Sequence, residues 1–114
     1  MRIDEYQQEA ARTMNRGLEP TDVILDAAAG LCEESGEVMA HVRKHLFQGR
    51  ALKRDEVAEE LGDALWCVAA IATSLGFTLE DIARDNLAKL AARHPDGVGT
   101  AAAAATGSGP LSEA

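Results

Sequence analysis

Apolar residues recur every three or four positions along most of this chain, a rhythm that predicts helices rather than strands. One stripe runs through Ile24, Ala27, Ala28, Leu31, Val38, Val42 and Leu46, a second through Val57, Leu61, Ala64, Leu65, Val68, Ile71, Ala72 and Leu75. A thinner one, Ile3, Tyr6, Ala10 and Met14, predicts an amphipathic first helix over Ile3 to Arg16, broken by Gly17 to Pro20. Thr21 is then the expected N-cap of a second helix, with Asp22 at the positive end of its dipole, running to about Phe47 before Gly49. Arg50 to Leu52 reads as a connection, and the third helix spans Lys53 to Leu75 with Gly76 placed to end it. Thr78, followed three residues later by Asp81, resembles a capping box and opens a fourth helix that stops before His94-Pro95. The pattern is that of an all-α, four-helix bundle.

Composition bounds the picture. A length of 114 residues suits one domain with a modest core, in the range where oligomerisation commonly helps. Hydrophobic content of 46% with only 4% aromatic residues suits close-packed helices. From Gly97 the sequence turns to Gly, Ala, Thr and Ser, so residues 1–96 are the expected domain and 97–114 a flexible tail. The Ala101 to Ala105 run is too short to hold an isolated helix. A formal net charge of -8 argues against nucleic acid as a partner, since backbone binding needs clustered Lys and Arg. No stretch approaches a membrane span, and Met1-Arg-Ile-Asp-Glu lacks the apolar core of a signal peptide, so cytoplasmic residence is the expectation. Cys32 and Cys67 read as small buried hydrophobes rather than a disulfide or a metal pair.

Charge changes the picture most at two matched segments, Leu31-Cys-Glu-Glu-Ser-Gly-Glu-Val38 and Val57-Ala-Glu-Glu-Leu-Gly-Asp-Ala64. Residues three apart share a helix side, so Glu34 neighbours Glu37 and Glu60 neighbours Asp63. At roughly 100° per residue, Glu34 and Glu60 each lie about 80° from the centre of their apolar stripe. Antiparallel packing of these helices brings four carboxylates together at the margin of the core. Such convergence is unfavourable unaided: the groups diverge, some are protonated, or a cation sits among them. Hard oxygen donors without Cys or neighbouring His favour Mg²⁺, with Mn²⁺ able to substitute.

Glu33-Glu34-Ser-Gly-Glu37, followed 23 positions later by Glu60-Leu-Gly-Asp63, resembles the MazG-like nucleotide pyrophosphohydrolase family, whose signature is Glu-Glu-x-x-Glu, a spacer, then Glu-x-x-Asp. Glu59-Glu60-Leu61-Gly62-Asp63 and Asn86-Leu-Ala-Lys89-Leu90-Ala-Ala-Arg93 share the likeness, which spans about residues 3 to 96. The resemblance implies a MazG-like bundle in which Glu34, Glu37, Glu60 and Asp63 bind two or more Mg²⁺ ions. It implies hydrolysis of a nucleoside triphosphate between the α and β phosphates, giving the monophosphate and pyrophosphate, in nucleotide-pool house-cleaning. Glu33 is either a catalytic base near the metals or an exposed acid in a charged turn.

Asn86 and Lys89 are nucleotide contacts by the same resemblance. Arg93, four residues beyond Lys89, is a phosphate contact or an ordinary surface residue, and Lys53 and Arg54 are weaker candidates for the same work. Near the end of the second helix, His41 and His45, four apart, are a transition-metal pair or more commonly two solvated imidazoles, and the basic residues Arg43 and Lys44 complement the helix dipole. Trp66, one turn beyond Asp63, and Tyr6 are both candidates for stacking on a base, although a Trp within a run such as Ala-Leu-Trp-Cys-Val is more often core, and Gln7 or Gln8 are candidates for reading a base edge. Val42, Leu46, Leu65, Ile71, Leu75 and Phe77 are too many apolar positions for one thin bundle, which predicts a homodimer or a tetramer of dimers with a site completed by a second chain. Two rivals remain: a phosphoribosyl-ATP pyrophosphohydrolase of histidine biosynthesis, sharing bundle and metal chemistry, and a non-enzymatic helical interaction module. A di-iron carboxylate bundle wants Glu-x-x-His, whereas Glu37 and His41 are four apart.

Overall fold

In the computed structural model, which describes residues 1–97, four helices follow one another: α1 (Ile3–Ala11), α2 (Pro20–Gln48), α3 (Arg54–Leu75) and α4 (Leu79–Arg93). No strand occurs among the described residues, and the all-α expectation holds. The expected tail lies outside the described residues apart from Gly97, as does the Ala101 to Ala105 run. No single described helix is long and apolar enough to cross a membrane.

The two long helices, α2 and α3, form an antiparallel hairpin that dominates the packing. Small residues let them approach. A Cβ built on Gly30 would sit 3.0 Å from the Cys67 Sγ, so a larger residue there would need that sulfur to give way by a few tenths of an ångström. Ala27 on α2 and Cys67, Ala69, Ala70 and Ala72 on α3 are buried. Cys32, in contrast, is exposed, one position past the buried stripe. Helix α1 lies against α3, and α4 leaves α3 at 104° and packs on α1. The core cluster is Ala10, Ala69, Ala72 and Leu79, flanked by Tyr6, Trp66 and Val68. Trp66 therefore belongs to the packing, as its apolar neighbours suggest, with its indole Nε1 donating to the Thr13 Oγ1 at 2.7 Å.

Boundaries differ from expectation at the first loop. α1 ends at Ala11 rather than Arg16, because the Thr13 hydroxyl bonds back to the Ala10 carbonyl at 2.7 Å and the Asn15 side chain accepts from the Gly17 amide at 2.9 Å. α2 begins at Pro20, with Glu19 rather than Thr21 as N-cap: proline's missing N–H costs nothing in the first helical turn, and its fixed φ suits that position. The fourth helix opens as expected, the Thr78 Oγ1 accepting from the Asp81 amide at 3.1 Å. Gly76, at φ 79, closes α3 with the paired bonds Phe77 N–H to Ala72 O and Gly76 N–H to Thr73 O.

Gln7 is the polar keystone of this layer. It is buried, and its amide nitrogen donates to the Thr73 Oγ1 (3.1 Å) and the Phe77 carbonyl (2.9 Å) while its oxygen accepts from the Leu79 amide (2.7 Å). The side chain ties α1 to the α3–α4 turn and is spent there, which removes Gln7 as a reader of a base edge. Gln7→Ala strands the Leu79 N–H and loses two further bonds, so it should destabilise the chain by about 2 to 3 kcal/mol. Urea unfolding followed by circular dichroism checks this; a change within about 0.5 kcal/mol, the usual range for surface substitutions, would show that the clamp carries no weight.

Candidate metal centre

Glu34 on α2 and Glu60 and Asp63 on α3 come together because the hairpin register is set by Gly30 against Cys67 and, further along, by His41 beside Glu56. One carboxylate oxygen from each of the three lies within 4.8 Å of the others. Glu34 and Glu60 are half-buried, and Asp63 is exposed at the rim. The Oε2 of Glu34 is shielded from solvent and has no hydrogen-bond partner. Three clustered carboxylates, one with an oxygen that makes no hydrogen bond, offer hard oxygen donors that fit a hard divalent ion of the Mg²⁺ or Mn²⁺ kind.

Electrostatics record the same crowding. The Glu34 carboxyl is pushed up from an ordinary 4.5 to about 7. Its largest cause is a hydrogen bond with Glu60, to which protonated Glu34 donates, followed by desolvation and the charges of Glu60, Asp63 and Glu37. Burial, then the charges of Glu34, Asp63, Asp26 and Glu33, raises the Cys67 thiol. Burial and the charge of Asp63 raise the Tyr6 phenol, which is partly buried and packs against the core cluster.

The other candidates fall at different distances from this focus. Glu37 is exposed; it acts on Glu34 through its charge but lies outside the triplet. Glu33 is likewise exposed. Asn86, Lys89 and Arg93 are exposed on α4. Asn86 and Lys89 share a shallow groove with Ile82 and Asp85 that contains none of the three clustered carboxylates. Within one chain, then, the acidic element and the α4 element are not joined into one site. Asp26 was not singled out by sequence reasoning, though it sits two turns before Glu34 on the same side of α2; only that spacing pointed to it.

A family model described as the MazG nucleotide pyrophosphohydrolase domain matches residues 24–98, which include all of α3 and α4 and most of α2. The Gene 37 protein of Mycobacterium phage L5 is 34% identical over 106 residues, covering 86% of this chain and 93% of that protein. No solved structure matches.

The raised Glu34 value fixes a pH dependence. Below about pH 4.5 both folded and unfolded chains hold the Glu34 proton; between 4.5 and 7 only the folded chain does, so stability from this group is lost as pH rises through about 7. The metal-free melting temperature should fall across that window. Glu34→Gln should flatten the fall and melt higher than the parent at pH 7.5. Added Mg²⁺ should raise the melting temperature of the parent at pH 7.5 and leave Glu34→Gln nearly unmoved.

Proposed function

The chain belongs to the MazG nucleotide pyrophosphohydrolase family, and from that premise we propose that it hydrolyses nucleoside triphosphates between the α and β phosphates in a reaction dependent on Mg²⁺ or Mn²⁺. The observation that carries this reading is the triplet Glu34, Glu60 and Asp63 with its shielded, unpartnered Glu34 oxygen. Glu37, one turn along α2 and electrostatically felt by Glu34, is the fourth ligand. Divalent cations held there would neutralise phosphate charge and lower the pKa of water.

In the reaction a water oxygen bonds to the α-phosphorus while the bond from that phosphorus to the oxygen bridging to the β-phosphate breaks. The bridging oxygen leaves with pyrophosphate, and we assign the water's proton to Glu33, exposed beside the triplet. Glu34, Glu37, Glu60 and Asp63 hold position and charge; little covalent chemistry falls to the protein. Returning a nucleotide as its monophosphate suits a house-cleaning role in the nucleotide pool.

The working unit in this reading is a homodimer or a tetramer of dimers. Two observations support it. Met39, Phe47, Leu75, Phe77 and Leu87 are all more than half exposed. Apart from Leu79, every residue of α4 is exposed, and that helix carries Asn86, Lys89 and Arg93, the nucleotide contacts we assign to a second copy.

A screen of canonical and modified nucleotides for Mg²⁺-dependent pyrophosphate release tests the activity. Glu60→Gln should lower turnover by about a hundredfold or more, the scale on which charge-stabilising groups act, with helical content unchanged; retained turnover would remove Glu60 from the site. Sedimentation equilibrium at micromolar concentration should give at least twice the 12.0 kDa chain mass, and a monomer would sink the oligomeric reading.

A further inference from the structure

Between Glu37 and Asp55 the chain carries no acidic residue, yet it places there five of its eleven Lys and Arg residues (Arg43, Lys44, Arg50, Lys53, Arg54) and two of its three histidines. In a chain of net charge -8 this concentration stands out. The fold gathers part of it around a concavity: His41, Lys44, Arg50, Ala51, Lys53 and Glu56 line a pocket of about 120 Å³ where α2 hands over to α3. Glu56 is the one acid in the lining, and it sits near both His41 (Nε2–Oε2, 3.9 Å) and Lys53 (Nζ–Oε1, 3.8 Å). Among the described residues Lys44 and Arg50 pair with no carboxylate. The His45 ring meets the Arg50 carbonyl at 2.7 Å, which holds the turn carrying Arg50 against the end of α2. Dipole complementarity explains a basic residue at a helix C-terminus; it does not explain a walled pocket with two uncompensated cations.

The pocket's position gives it a use. His41 is four residues past Glu37, and Glu56 is four before Glu60, so the cationic wall starts about one helical turn, roughly 6 Å, from the carboxylates along the same α2–α3 seam. Toward the other end of that seam lie Gly30 and Cys67, beyond which Trp66 packs on the core cluster. The polarity is therefore acidic at the centre, cationic toward the hairpin turn and apolar toward the core. A nucleoside triphosphate has a matching polarity, with its densest negative charge at the end remote from the base.

We propose that the pocket formed by His41, Lys44, Arg50 and Lys53 receives the β and γ phosphates of the substrate and holds them as the pyrophosphate leaving group. This rests on the reading of Glu34, Glu60 and Asp63 given above, and it fixes the direction in which the substrate lies along the seam. Lys44 and Arg50 contribute charge-assisted hydrogen bonds to the phosphate oxygens; His41 and Lys53, steadied by Glu56, close the wall. The departing pyrophosphate thus moves toward positive charge as it leaves the acidic centre.

Titration calorimetry with inorganic pyrophosphate, in EDTA so that no divalent ion contributes, tests the pocket directly. Pyrophosphate should bind the full chain, and Lys44→Gln/Arg50→Gln should weaken it by about tenfold or more, the loss expected from removing charged hydrogen bonds. Arg12→Gln, whose parent side chain pairs with Glu9 away from the pocket, should bind as the parent does. Lys44→Arg should retain affinity, and helical content by circular dichroism should match across the set. Under turnover conditions the same double variant should raise the inhibition constant of pyrophosphate and leave that of the nucleoside monophosphate unchanged. Unmeasurable pyrophosphate binding to the parent, or equal binding in the double variant, overturns the proposal while leaving nucleotide hydrolysis to stand. A parent chain that binds pyrophosphate here but releases none from any nucleotide overturns the reading of the carboxylates instead. A duplex oligonucleotide that binds more tightly than pyrophosphate and is lost in the double variant would make the segment a nucleic-acid site and overturn the assignment.

Discussion

How closely α2 can approach α3 governs everything else in this chain. Gly30 lies close against the Cys67 sulfur, where a side chain of its own would crowd it, and the alanines of α3 continue the flat contact. Close-packed interiors resist even one added methyl group. That contact therefore pins the register of the hairpin, and the register decides that Glu34 meets Glu60 and Asp63 rather than sliding past them. The repulsion concentrated at the triplet is tolerated because the apolar seam beneath holds the helices together. In turn, the seam costs the protein large buried side chains: among the described residues none with relative exposure below 2% is large.

Much of this was legible in the sequence. Helix number, the glycine that ends α3 and the Thr78 cap follow from periodicity and local hydrogen bonding, which act over a few residues. The pairing of the two acidic elements was legible because both sit at the same angle from their apolar stripes. What escaped has a common cause. Gln7 looks like a surface residue on a thin amphipathic helix; its three partners are 66 to 72 residues away, and no local pattern announces them. The end of α1 was overrun because Met14 continues the apolar stripe while the Thr13 and Asn15 side chains compete for the backbone. Cys32 is exposed although its neighbour Leu31 lies on the stripe, since one residue is about 100° of rotation. The cationic pocket was dispersed in the sequence among a helix end, a connection and a helix start, each with its own adequate local explanation.

The site is correspondingly uneven. Three of the acids converge, Glu37 stands one turn aside, and the α4 residues form part of a separate surface. Spacing within a helix fixes which side chains are neighbours, whereas the relation between helices depends on loops and crossing angles that spacing does not encode. The 104° turn between α3 and α4 is such a case: it points α4 away from the hairpin and leaves its apolar positions uncovered.

The Gln7 clamp has a consequence for where this domain begins. The match to the family model starts at residue 24, inside α2, and does not include α1. Yet α1 supplies Ala10 and Tyr6 to the core and, through one amide, sets the angle at which α4 departs. The stretch matched by the family model and the unit of folding thus have different edges. A short leading helix outside that match acts as the strut that keeps the rest in shape.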